Sequence, residues 1–110
     1  MKKDYKITIF KEVNYDLDEI EEYIIREYES TYIAYKISSN IRNAISTIPL
    51  FPNSYPPINI KKYNIRKKKC GKYQIFFECN HDEINIIGIF HSRRLIENIY
   101  KTIIERINSN

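Results

Sequence analysis

The residues best suited to chemistry fall in two clusters late in the chain. Lys61 to Lys72, KKYNIRKKKCGK, carries seven Lys or Arg and no acid, and runs directly into the apolar stretch Tyr73–Phe77. His91-Ser92-Arg93-Arg94 closes a second apolar run, and Tyr100 follows Arg94 by six residues. Guanidinium, ammonium and phenol groups brought to one edge of a small sheet suit a polyanion, RNA first of all, because phosphate contacts dominate such binding. Alternation along the basic segment puts Lys62, Asn64, Arg66 and Lys68 on one face of a strand and Tyr63, Ile65 and Lys67 on the other. Tyr63 and Ile65 are the expected core pair, which leaves the Arg66 face open to a ligand. Arg93 and Arg94 emerge at the end of an apolar strand, where a scaffold can hold them rigidly.

The elements that must position these groups read off hydrophobic periodicity. Tyr5–Phe10 alternates Ile7 and Ile9 with Lys6 and Thr8, predicting a strand. Asn14 or Asp16 would cap a helix with the stripe Leu17, Ile20, Ile24 and Tyr28, ending near Glu29. Asp16, Asp18 and Glu19 would sit where the helix dipole favours negative charge. Ser30 or Thr31 would cap a second helix, its stripe Ala34, Ile37, Ile41, Ala44, Ile45 and Ile48 packing back on the first as an antiparallel hairpin. Pro49, Pro52, Pro56 and Pro57 bar both helix and central strand, predicting a surface loop. Strands are expected over Lys62–Lys67, Tyr73–Cys79 and Ile84–Phe90, the last two joined by a turn at Asn80–Glu83. The run INIIGIF is apolar on both faces and should lie centrally in the sheet, with Gly88 marking a bulge or a close backbone approach. A final helix starts at Leu95 or Ile96, with Ile96, Ile99, Ile103 and Ile107 inward. The expected order is βααβββα, an α+β domain.

Composition narrows the class. The 110 residues are 43% apolar and 29% charged, which fits one folded domain spanning 1–110 and not a disordered chain. Net charge is only +4, yet eight of the fourteen acids lie between Glu12 and Glu29, so one end should be acidic and another strongly basic. Cys70 and Cys79 lack zinc-site spacing, and both thiols are expected to be reduced. No signal peptide is read before residue 10 and no apolar run approaches the ~20 residues that cross a bilayer. The expectation is a cytoplasmic protein with no metal, no cofactor and no membrane contact.

Taken together, the order βααβββα, the NYDLDEIEEYI helix, the STIPLFPNSYPPI loop, the GKYQIFFE strand and the IIGIFHSRRLIENIY ending resemble the RelE/ParE superfamily, the toxins of type II toxin–antitoxin, or plasmid stabilisation, systems. The likeness covers about residues 6–107. It implies a cognate antitoxin as partner, masking the basic face. For RelE-like members it implies a ribosome-dependent mRNA endoribonuclease that inhibits translation, with ribosome and mRNA as partners; for ParE-like members it implies inhibition of DNA gyrase without catalysis. Carried over from RelE-like enzymes, the catalytic groups would be Arg66, Arg94 and Tyr100. Tyr100 or a basic-strand lysine would be the base, Arg94 and Arg66 would stabilise charge, and Arg94 or a lysine would donate the proton. Lys62, Lys67, Lys68, Lys69, Lys72 and Arg93 would hold RNA, with His91 a further candidate. One position departs: RelE-like enzymes usually carry an arginine where this chain has Gln74, and Arg66 or Lys72 would have to compensate. The nuclease is the leading expectation and the gyrase inhibitor its alternative.

Overall fold

The computed structural model describes residues 4–110. Strand β1 (Lys6–Ile9) runs almost without a break into helix α1 (Lys11–Tyr28). The helix begins earlier than its polar residues suggest. Phe10 occupies the N-cap position with no side-chain hydrogen bond, so Asn14 and Asp16 lie inside α1 and cap nothing. Its start is set by packing, since Val13 extends the buried stripe of Leu17, Ile20 and Ile24 one turn towards the N-terminus. Tyr28, expected in that stripe, is 55% exposed.

Glu29 takes a left-handed conformation and ends α1, after which the Ser30 hydroxyl accepts the Ile33 amide and starts α2 (Thr31–Thr47). The two helices form the expected hairpin, with Ala34, Ile41 and Ile45 buried. Ser38 is buried between them and donates to Glu21 at 2.7 Å, so its hydroxyl is satisfied. The proline segment forms two short 3-10 turns, Ile48–Leu50 and Pro52–Ser54.

A further strand, β2 (Pro57–Ile60), follows these turns. It joins the sheet at its edge, where proline at the first position removes no ladder bond that a neighbour needs. Strands β3 (Tyr63–Cys70), β4 (Tyr73–Asn80) and β5 (Glu83–His91) continue as an antiparallel meander, before α3 (Ile96–Ser109). The five-stranded sheet is ordered β1-β5-β4-β3-β2, with β1 parallel to β5. The α+β class and the RelE/ParE-like succession of elements are as expected, with β2 as an addition. Lys61 and Lys62 form the β2–β3 turn, so the basic strand starts at Tyr63 and not at Lys62.

Successive strand residues point to opposite faces, and side chains assign the helices to those faces. Phe77 packs edge-on against Tyr55 and Lys68 reaches α2, which sets the hairpin and loop on one face. Phe76 and Phe90 pack together, Arg106 of α3 lies 5.2 Å from the Phe90 ring centre, and Tyr63 donates to Asn108, which sets α3 on the other. The core is continuous through the sheet, with Ile65, Ile75, Ile84, Ile86, Ile87, Ile99 and Ile103 fully buried.

The ladder of β1 stops at Ile9 opposite Ile86, while β5 continues to His91. Beyond that point a charge pair closes the exposed strand edge. Asp16 accepts the Ile89 amide at 3.0 Å; Arg106 donates to the Ile87 carbonyl at 3.1 Å and to both Asp16 oxygens at 2.7 and 2.9 Å. Burial lowers the Arg106 pKa, and hydrogen bonding to Asp16 with the nearby charges of Asp16, Glu12 and Glu19 outweighs it, for a net rise. Both expectations for Gly88 hold. The register slips beside it, Phe76 facing Gly88 but Phe77 facing Ile86, and a methyl group there would lie 2.6 Å from Arg106 Nη1 and 2.7 Å from the Phe90 ring.

Candidate functional site

Strand β3 divides its cations between the two faces. Arg66 donates to the Tyr55 carbonyl at 2.5 Å and to the Asn53 carbonyl at 3.3 Å. Lys68 donates to the Ala44 carbonyl at 3.2 Å and to the Thr47 hydroxyl, and its ammonium lies 5.5 Å from the Tyr55 ring centre. The Arg66 face is therefore not open to a ligand as expected. Its two cations neutralise the carbonyl-rich C-terminal end of α2 and the loop after it, where cations are favoured.

The opposite face carries a different row. Lys69 faces Gln74 and Gln74 faces Phe90, while Lys67 faces Phe76. Residues opposed in a ladder share a face, so Lys67 and Lys69 lie on the α3 side. Arg94 leans over Phe90, 4.9 Å from the ring centre, and donates to Thr102 on α3 at 3.1 Å. Tyr100 is half-buried on α3 and packs against the core. Lys62 is exposed in the β2–β3 turn beside Tyr63, and Lys72 is exposed in the β3–β4 turn. Arg93 is exposed, and its amide donates to Nδ1 of His91, whose ring packs edge-on against Tyr73 at 5.3 Å. Of the three groups expected to act together, Arg94 and Tyr100 belong to the α3 face and Arg66 to the other.

Sequence reasoning missed the Asp16–Arg106 pair, because Asp16 reads as one acid among many in α1 and Arg106 lies 90 positions away. It also missed the cavity beside the β3–β4 turn, about 460 Å³ and lined among others by Tyr23, Tyr28, Tyr73 and His91. Burial first, then the Tyr23 and Tyr28 phenols, push the Tyr73 pKa up. Cys70 and Cys79 form no disulfide. Among the described residues no group of three or more His, Cys, Asp or Glu side chains is placed to hold a metal, and no helix is long and apolar enough to cross a membrane.

A family model described as ParE toxin of type II toxin-antitoxin system, parDE, matches residues 7–96. The chain belongs to the ParE toxin family. The match covers β1 through the first residue of α3 and so takes in both basic clusters. Membership of this type II toxin family implies an antitoxin partner. Among solved structures the fold is similar to a chain of a chromosomal ParDE TA system from P. aeruginosa. That likeness has a TM-score of 0.68 and 16% sequence identity, and covers 79% of this chain and 95% of that one. No match was found among the curated proteins. At such identity the likeness speaks for the fold alone, while the family match speaks for the ParE branch of the superfamily.

Proposed function

We propose that this ParE-family toxin acts by binding a protein target, DNA gyrase, and not by cutting RNA. The carrying observation is the division of its cations. Arg66 and Lys68 are committed to carbonyls on the hairpin face, while Arg94 rests on Phe90 at the other. Cleavage through a phosphorane needs preorganised positive charge around one linkage. Gln74 in the intervening row contributes none. The family match over residues 7–96 supports the same reading, since ParE-like members are the gyrase-binding branch that the sequence resemblance implies. The test pairs a gyrase supercoiling assay on purified toxin with mapping of RNA 5′ ends after induction in cells. Loss of supercoiling with unchanged RNA ends is expected; codon-positioned RNA cleavage with normal supercoiling overturns the proposal.

A ribosome-dependent mRNA endoribonuclease is the second reading, favoured by Lys67, Lys69 and Arg94 sharing the face that α3 covers. Under it, Arg94→Ala and Tyr100→Phe would each lower cleavage by ~10²-fold or more. Unchanged cleavage by both variants removes it.

A further inference from the structure

The cavity between the helical hairpin and the Gly71 turn has a chemical character that neither reading uses. Tyr23, Tyr28 and Tyr73 supply aromatic walls, Asn40 supplies an amide, and Lys72 and Arg93 supply charge, with no carboxylate among the lining residues. Two further donors face this acid-free space. His91 Nδ1 is occupied by the Arg93 amide, so the neutral ring carries its proton on Nε2. The Tyr73 phenol is protonated at neutral pH, as any tyrosine is, and burial with its two tyrosine neighbours only raises its pKa further. Flat aromatic walls beside hydrogen-bond donors and cations suit a flat ring that carries an anion.

We propose that this cavity binds a nucleoside phosphate, with the base against the tyrosine rings, the Asn40 amide at its edge, and the phosphate on Arg93 and Lys72. The volume of about 460 Å³ falls in the range of small-ligand sites. A neighbouring cavity of about 500 Å³ shares Tyr23, Tyr73, His91 and Arg93, and is also lined by Arg94, Glu19 and the Arg106-paired Asp16. The nucleotide could be free or the 5′-phosphorylated end of a strand; the ligand chemistry is the same. The inference does not depend on the target proposed above.

The experiment is a titration of purified toxin with AMP, GMP, adenosine, inorganic phosphate and a 5′-phosphorylated tetranucleotide, followed by amide chemical shifts. AMP or GMP should shift the Gly71, Tyr73 and His91 amides and bind at least ~10-fold more tightly than adenosine or phosphate alone. Arg93→Ala and Tyr28→Ala, both at exposed positions, should each weaken binding by about 10-fold, and Lys62→Ala in the distant β2–β3 turn should not. Equal affinity for AMP and the tetranucleotide identifies the free nucleotide, and tighter binding of the tetranucleotide identifies a strand end; both support the site. Phosphate binding as well as AMP, nucleotide affinity unmoved by Arg93→Ala, or no shifts at millimolar nucleotide overturns it.

Discussion

Removing either half of the Asp16–Arg106 pair should destabilise the fold by about 3–5 kcal/mol, the usual cost of stranding one member of a poorly exposed ion pair. The side chains are 10% and 15% exposed, so neither charge can readily rehydrate. The parts of the loss can be named. Arg106→Leu leaves Asp16 with only the Ile89 amide and strips the Ile87 carbonyl of its donor. Asp16→Leu orphans the Ile89 amide and leaves a guanidinium unpaired beside Phe90. Each orphaned backbone group costs about 1–3 kcal/mol. The double variant removes both charges but keeps both orphans, so it should cost about 2–6 kcal/mol, well short of the sum of the singles. The coupling, the amount by which the double falls short of the two singles together, should centre on about 4 kcal/mol. Urea unfolding of the four proteins, followed by far-UV circular dichroism with the slope m compared across the set, measures this directly. Single variants that each cost less than about 1 kcal/mol, or costs that simply add, would refute the edge-closing role.

Gly88→Ala should lose about 1–3 kcal/mol in the same assay, because the added methyl meets Arg106 and Phe90 in a packed site. At Lys61, which holds φ +50°, Lys61→Gly should gain about 1 kcal/mol, and Gly71→Ala at φ +59° should lose a similar amount although its surroundings are open. Ser30→Ala should cost about 1 kcal/mol through the unmet Ile33 amide. For Tyr73 the folded pKa lies above the ordinary 10.0, so its contribution is complete below that value and is lost as pH rises through the folded pKa. Unfolding midpoints measured between about pH 9 and pH 12 should therefore fall less steeply in Tyr73→Phe than in the parent; parallel curves would count against the shift.

Much of this fold is legible in the sequence because its elements are strongly patterned. The hairpin follows from a 3.6-residue apolar stripe and a serine between two helices, and the meander follows from short turns between apolar runs. The early start of α1 was hidden because Val13 and Phe10 act through packing, while Asn14 and Asp16 only look like caps. Strand β2 was hidden because four prolines between Pro49 and Pro57 argue against a central strand and so read as a loop, while an edge strand tolerates proline at its first position. The candidate site was less legible still. Alternation correctly separated Arg66 and Lys68 from Lys67, but nothing local revealed that the loop and α2 would present carbonyls to the first pair. Nor could spacing reveal that Asp16 would reach a strand edge instead of capping its own helix. Such contacts are set by which surfaces meet, and the sequence around each residue does not encode that.

The short reach of β1 also bears on how the molecule assembles. The β3–β4–β5 meander closes through tight two-residue turns, so it can form early and quickly. By contrast Lys6 must find Glu83, and Asp16 must find Arg106 across 90 positions, both slow loop closures. Until they do, the nascent sheet shows a bare apolar margin along β5, and a chain caught in that interval is at its most prone to stick to another copy of itself.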